Sequence, residues 1–457
     1  MPLLIGLAML LGARGLLARR VARPVIRPER ARSAVRVAGV AAGAALAVAA
    51  VRVLSVRLLG GRLALPAVAP RTVLLLGLLV ALVVLLAPAP APPPAGAAER
   101  AAVAALVEDP GADTLAPFAL RTDRSYAVSP DGRAAVAYRV LFGVAVAGGD
   151  PVGAPASAPA AVAEFMACCA RSGWRVAVLG ASDPARELWR RHGLRAVGIG
   201  DEAVLDPGTF DLTGRRMRNV RQAVARTHNA GVTTRLWRQA DLPEPVRAEL
   251  AAVVAGWPGH ERGFSMNLDG LTSGAAGTGP DRADCVLAIA RDEAGRVAGF
   301  QRYARCAGGS VLTLDAMPRL PGAPNGVNER LIVDTLAYAR EAGVRRVSLN
   351  FGAFRALLEA RHRTGRERLG YRVVRLLDPL IKVEPLYRFN AKFAPSWQPR
   401  SVMVPSLAVI GRVLVAALGM EFALPYDRRH ASRRDVRPAG EPALPAGLRP
   451  GEQVASG

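Results

Sequence analysis

The sequence predicts an α+β protein built from two similarly ordered domains and preceded by apolar helices. Two observations carry this reading: an antiparallel hairpin feeding a strand–helix–strand unit occurs twice, and three apolar segments crowd the N-terminus. In the first passage, "AAVAYRV" and "GVAVAGGD" read as paired strands. A helix near Ala158–Ser172, the strand "WRVAVLG", a helix near Pro184–His192 and the strand "RAVGIG" follow. In the second, "DCVLAIARDEAGRVAGFQRYA" reads as a hairpin turning at Asp292–Gly295. Then come "SVLTLDA", a helix over Val327–Ala342 ending at Gly343, and the strand "VRRVSLNF". No sequence repeat joins the two passages; the duplication rests on element order.

The N-terminal segments are Met1–Leu17, Val37–Val51 and Thr72–Ala87 ("TVLLLGLLVALVVLLA"). The arginine-rich stretch after the first has no A-x-A cleavage site and is expected to stay cytoplasmic under the positive-inside rule. Two or three membrane helices within 1–88 would then leave the remainder of the chain in the cytoplasm, as a multi-pass protein of the cell membrane. The proline- and alanine-rich residues 89–110 read as a stiff linker, 111–230 as the first domain and 231–385 as the second, carrying the catalytic cleft. Residues 386–425 form a basic–aromatic segment and a C-terminal helix, and 426–457 a disordered tail.

Composition narrows the chemistry. The 457 residues carry 60 basic and 37 acidic side chains, a net charge of +23 that favours polyanionic partners such as nucleic acid or anionic lipid. Only Lys382 and Lys392 are lysines; the rest of the basicity is arginine. Cys168, Cys169, Cys285 and Cys306 make no CxxC pair and read as buried thiols in a reducing compartment. The histidines have no metal-ligand spacing, and there is no GxSxG elbow, Walker loop or HExxH. No metal or cofactor is expected.

Six blocks then occur in one order: "SYAVSPDGRAAVAYRVLFGVAVAGGDPVG", "GIGDEAVLDPGTFDLTGRRMRNVRQAV", "ERGFSMNL", "LDAMPRLPGAPNGVNERLI", "RRVSLNFGAFRALLE" and "EPLYRFNAKFAPSWQPR". Together they resemble the C-terminal domain of the bacterial phosphatidylglycerol lysyltransferases, in the actinobacterial type and without a fused lysyl-tRNA synthetase. The resemblance implies tandem acetyltransferase-like (GNAT-type) domains. It also implies transfer of an aminoacyl group, most commonly lysyl, from aminoacyl-tRNA to phosphatidylglycerol, with resistance to cationic peptides as the consequence. The donor would be charged by a separate lysyl-tRNA synthetase. Alanine and arginine remain open as the transferred amino acid.

Ester exchange of this kind needs a proton acceptor near the attacking hydroxyl, donors for the developing oxyanion and a proton for the leaving oxygen. Asp315 ends a strand beside a cleft and reads as a base, as a holder of the donor's ammonium group or as a structurally paired carboxylate. Asn325 and Asn328 are expected to cap the following helix, with Glu329 in its first turn, either suited to the helix dipole or binding a lysyl side chain. Asn350 and Ser348 place polar groups on one face of a strand and mark Asn350 as a cleft residue. Asp201, Glu202, Glu261 and Arg262 complete the polar set matched to the family, a buried Glu–Arg pair being the alternative for the last two. The family's Asp-x-Met-Arg reads Asp315-Ala316-Met317-Pro318-Arg319 here, so that Arg319 stands one position late for a phosphate contact.

Phosphate contacts, to tRNA or lipid, are expected of an amphipathic helix on which Met217, Val220 and Val224 make one stripe, Arg215 and Arg226 project oppositely, and Arg216, Arg218 and Arg221 flank. Arg388 and Lys392, interleaved with aromatics, suit tRNA or the bilayer surface equally. A solvated basic face is the alternative for these groups. A non-catalytic relative that binds anionic lipid or tRNA, and a transferase acting on another acceptor, are the competing functions.

Overall fold

The computed structural model describes residues 28–59, 70–257, 268, 284–353 and 383–421. Met1–Leu17, Glu261, Arg262 and the tail lie outside them.

Helices α1 (Pro28–Leu59) and α2 (Pro70–Leu86) pack side by side as an N-terminal hairpin. Their seam is made of small residues: a Cβ on Gly77 would meet the Ala41 Cβ at 1.9 Å, and Ala45 and Ala81, one turn further on, are buried. The large side chains Leu75, Leu76, Leu79 and Leu82 turn outward and are exposed. No helix among the described residues is long and apolar enough to cross a membrane, so the expected transmembrane helices are not supported there. The physical reason is length and charge. The 17 residues of α2 reach about 25 Å, against about 30 Å of hydrocarbon; the uncharged stretch of α1 is bounded by Arg36 and Arg52.

The segment read as a stiff linker is strapped to the body. Ala89 exchanges hydrogen bonds with Ser172 O and Trp174 Nε1, both at 2.8 Å, and Ala95 N donates to Arg124 O at 2.7 Å. Beyond the prolines, α3 (Ala97–Val107) starts at Gly96, whose N–H donates to the Glu99 carboxylate at 3.1 Å. Val103 and Val107, one turn apart, bury against the body.

Among the described residues, one sheet of twelve strands runs through both passages. The first contributes β1 (Ser125–Val128), β2 (Ala134–Leu141), β3 (Val144–Gly148), β4 (Val152–Gly153), β5 (Arg175–Ser182) and β6 (Arg195–Leu205), with α4 (Ala158–Ser172) and α5 (Asp183–Arg190). The second contributes β7 (Thr233–Arg238), β8 (Cys285–Arg291), β9 (Val297–Cys306), β10 (Val311–Ala316) and β11 (Arg346–Ala353). Its helices are α6 (Arg218–Asn229), α7 (Glu244–Ala255) and α8 (Val327–Glu341). After these come α9 (Val383–Ala391), β12 (Ser396–Val404) and α10 (Ile410–Glu421). The expected hairpin and strand–helix–strand order is present in each passage. The strand β12 was not expected, because its sequence, SWQPRSVMV, has a proline at its centre and no clean alternation.

The sheet order is β1-β2-β3-β5-β12-β6-β11-β10-β9-β8-β7, with β4 paired to β2. Among the described strands only β3/β5 and β10/β11 are parallel, the connections requiring the crossover helices α4 and α8. Strand β12 inserts between β5 and β6, and β6 in turn pairs with β11. The last of the described strands thus closes the first passage.

Alternation decides which layer each strand side chain enters. Val144 and Val146 of β3 pack under α10, while Ala145 and Ala147 face α4, where small side chains leave room for Phe165. Phe165 meets Trp189 of α5 edge-on at 6.1 Å, both fully buried. Burial of a phenylalanine of this kind contributes about 1.5–3 kcal/mol. In the second passage, Val220 of α6, Leu331 and Ile332 of α8 and Phe393 cover Leu312, Leu314 and Leu349.

Candidate active site

The parallel strands β10 and β11 are in register from Val311↔Arg346 to Thr313↔Ser348 and then part. Each is interrupted where they part. The register of β10 against β9 shifts between Leu314 and Ala316, and that of β11 against β6 between Ser348 and Phe351. Asp315 and Asn350 sit at these irregularities, where extra residues re-aim side chains. Asn350 adopts φ +65°, a left-handed conformation that asparagine tolerates better than most residues. Its N–H donates to Ser348 Oγ at 3.0 Å and its Nδ2 donates across the opening to Leu314 O at 3.1 Å.

Asp315 is engaged from two directions. Its Oδ2 accepts from Arg302 Nε at 2.5 Å and its Oδ1 from Leu268 N at 2.5 Å, while Arg302 Nη2 donates to Leu268 O at 3.1 Å. The two charges therefore grip both polar groups of one peptide residue, with side-chain exposures of 3% and 0%. A pair this buried is stable only when its remaining hydrogen-bonding capacity is used, and Leu268 uses part of it. Cys285 lies in the same environment, and burial pushes its thiol up to about 12 despite the nearby Arg302.

Behind Asn350 lies a second buried cluster. Ser348 Oγ donates to Glu202 Oε1, and Glu202 Oε2 accepts from Arg400 Nε at 3.0 Å and from its Nη2. Arg400 also donates to both Asp113 oxygens, at 2.8 and 2.9 Å, to Thr114 Oγ1 at 2.8 Å and to Gly180 O at 3.2 Å. Burial opposes the charge on Arg400, but Asp113 and Glu202 outweigh it and hold the guanidinium firmly protonated. The first passage has its own parting of parallel strands in this region, where Ser182 Oγ donates to Asp150 Oδ2 at 2.5 Å. Burial, reinforced by Asp113, pushes the Asp150 carboxyl up to about 7 against the opposing pull of Ser182 and Arg400.

The expected asparagine caps are absent. Helix α8 starts behind Gly326, which is at φ +104° and makes no side-chain cap. A Cβ there would meet Ala223 O of α6 at 2.6 Å, so the Asn-Gly pair serves the close approach of two helices rather than a hairpin turn. Asn325 is exposed; Asn328 has its Oδ1 buried and unpaired while its carbonyl accepts from Gln301 Nε2 at 3.1 Å. Glu329, in the first turn, accepts from Lys392 Nζ at 2.8 Å, and that ammonium stands 5.1 Å from the Phe389 ring.

Arg319 is exposed on a segment bridged antiparallel to Gly299, where Pro318 O accepts from Phe300 N at 3.0 Å. Asp201 is buried on β6, opposite Gly352 of β11. Arg215, Arg216 and Arg218 are exposed, while Arg221 donates to Leu212 O and, at 2.7 Å, to Gly214 O. Arg215 and Arg216 border a groove of about 540 Å³ with Phe210, Phe393 and Ser396. Arg388 is exposed on α9. Asp315 and Asn350 therefore flank the parting of β10 and β11 with Glu202 buried behind Asn350, Glu329 and Lys392 form a separate pair, and Arg215 and Arg216 border a surface groove.

Sequence reading missed Arg302, Asp113, Arg400 and Gln301. Arg302 lies on β9 within a run of residues buried on both faces, a position where a charge demands a partner. That signal was available; the partner's identity was not.

The family described as phosphatidylglycerol lysyltransferase, C-terminal, matches residues 104–404. An MprF-like domain protein of Mycobacterium tuberculosis is 43% identical over 334 residues, which are 71% of this chain and 67% of that protein. The lysylphosphatidylglycerol biosynthesis bifunctional protein LysX of Gordonia bronchialis is 37% identical over 347 residues, 74% of this chain but only 30% of that protein. Among solved structures, a C-terminal (DUF2156) domain from Agrobacterium fabrum superposes with a TM-score of 0.60 at 24% identity, over 71% of this chain and 97% of that one. L-PGS from Bacillus licheniformis gives 0.59 at 20% identity, over 73% and 96%. At these identities the two structures establish a shared fold.

Proposed function

This chain belongs to the phosphatidylglycerol lysyltransferase C-terminal family, a family of aminoacyltransferases, and from that premise we propose that it moves an aminoacyl group from aminoacyl-tRNA to phosphatidylglycerol. The observation that carries the reading is the opening between β10 and β11, where two bulges bring Asp315 and Asn350 to the carboxyl ends of parallel strands. Ligands of open α/β sheets bind in the crevice beyond such ends. The Asn350 carboxamide orients the acyl carbonyl, and the Arg302–Asp315 pair fixes the wall of the opening. No metal enters the scheme. The tandem acetyltransferase-like reading agrees with the element order of the two passages.

The arginines of the α6 surface and its groove supply the charge for tRNA phosphates. Lysine is the favoured amino acid. Glu329 and Phe389 already bracket a lysine ammonium, that of Lys392, and the same carboxylate–ring arrangement suits a lysyl substrate. The N-terminal hairpin, with small residues at its seam and leucines outside, presents an apolar surface suited to lipid. It is read as attaching the protein to the cytoplasmic face of the cell membrane.

The test is transfer of radiolabel from lysyl-tRNA into the organic-extractable fraction of phosphatidylglycerol vesicles holding the full chain. RNase-sensitive labelling is the expected result. Lipid binding without labelling from lysyl-, alanyl- or arginyl-tRNA would leave a binding protein instead.

A further inference from the structure

Helix α10 is apolar on both sides. Val413, Ala416 and Met420 bury it on β3 and β5, together with Val409 just before it. Its other side presents Leu414 and Val415, with Leu407 in the short turn just before the helix, and these are 40%, 56% and 62% exposed. Arg412 and Glu421 are the only charged residues of the helix. A surface helix ordinarily carries polar residues opposite its core stripe, so this one implies an apolar neighbour. The β2–β3 turn adds a further side chain. Phe142 sits there at φ +51°, 51% exposed, and the adjacent Leu141 packs in the same cluster as α10.

What covers this face is indicated by where the N-terminal hairpin joins the body. Helix α2, with its outward leucines, ends at Leu86. Two residues later Pro88 lies against Gly143, where a Cβ would meet the proline Cγ at 2.5 Å, and Ala89 is bonded to Ser172 and Trp174. The chain therefore leaves a leucine-coated hairpin and lands beside Phe142. A hairpin seated in lipid brings this corner of the body to the bilayer surface, and the net charge of +23 draws the protein toward an anionic one.

We propose that Phe142, Leu407, Leu414 and Val415 form a membrane-docking face that rests in the boundary between headgroups and acyl chains of an anionic bilayer. The face fixes the orientation of the sheet against the membrane, so that the body is held at two places rather than swinging on the hairpin. The inference rests on membrane attachment through the hairpin and adds a second, independent contact.

The experiment uses the full chain with Cys168→Ala, leaving Cys169, Cys285 and Cys306, which are buried with thiols pushed up by burial and so resist labelling. An environment-sensitive fluorophore is placed in turn at Phe142→Cys, Val415→Cys, Leu75→Cys of α2 and Ala294→Cys of the β8–β9 turn. Vesicles contain phosphatidylglycerol and lipids brominated along the acyl chain. Quenching at 142, 415 and 75 but not at 294 supports the docking face. Quenching at 75 with 142 and 415 as unquenched as 294 overturns it while membrane attachment stands. Absence of quenching at 75 as well overturns both.

Discussion

Asn350 reaches from β11 to β10, its Nδ2 donating to the Leu314 carbonyl at 3.1 Å, at the point where the two parallel strands stop pairing. The residue does two things at once: it holds a left-handed backbone and it spans the opening. These separate by substitution. Asn350→Gly accepts the backbone conformation and is expected to keep the melting temperature near wild type while losing transfer. Asn350→Ala is expected to lose transfer and also about 1 kcal/mol of stability, the cost of forcing alanine into that region. Thermal unfolding beside the lipid-labelling assay checks both.

The Arg302–Asp315 pair is expected to matter first for stability. Arg302→Met leaves a buried carboxylate without its charge partner and is expected to cost about 3–5 kcal/mol, read as a lower urea midpoint. The double variant Arg302→Met/Asp315→Leu removes both charges and is expected to recover a large part of that loss. Additive losses in the double-mutant cycle would show that the two residues are not coupled.

Asp150 makes stability depend on pH. Its carboxyl titrates near 7 in the folded chain, against about 3.9 unfolded. Between those values the folded state binds the extra proton, so this group's contribution is fully present below about pH 4 and is lost as pH rises through 7. Asp150→Asn is expected to remove that slope, raising the melting temperature relative to wild type above neutrality more than near pH 5. An unchanged slope would mean that Asp150 is ionised throughout.

Lys392 occupies the Glu329 carboxylate. The pair is partly exposed, so Lys392→Met is expected to change stability by about 1 kcal/mol or less. If the lysyl substrate uses the same carboxylate, the variant should lower the KM for lysyl-tRNA and leave alanyl-tRNA unaffected. Equal effects on both donors would remove Glu329 from amino-acid recognition.

Arg215→Ala and Arg216→Ala are each expected to weaken tRNA binding and to shallow its dependence on log salt concentration by roughly one contact. Filter binding at several ionic strengths measures this. Loss of affinity with an unchanged salt slope would point to a non-electrostatic role.

Much of the fold was legible because alternation and helical spacing are local signals. The V-A-V-A of β3, the Asp292–Gly295 turn and the helix ending at Gly343 all stand where the pattern placed them. What was not legible depends on partners distant in sequence. Strand β12 is a strand because β5 and β6 leave it a slot, and Arg400 is buried because Asp113 and Glu202 await it nearly 300 and 200 residues away. Asp315 and Asn350 were visible as polar residues ending or lining strands, whereas the pairing of Arg302 with Asp315 on the neighbouring strand was not. The asparagines before α8 misled because their sequence fits a cap, while the backbone approach of Gly326 to α6 decided the turn.

The most direct measurement is single-turnover transfer from radiolabelled lysyl-tRNA to phosphatidylglycerol by the full chain in vesicles, wild type against Asn350→Gly, with both proteins shown to have equal melting temperatures. The expected result is RNase-sensitive lipid labelling by wild type and a rate at least tenfold lower for the variant, about 1.4 kcal/mol or more in the barrier. Equal rates in the two folded proteins would contradict placing the reaction at the parting of β10 and β11.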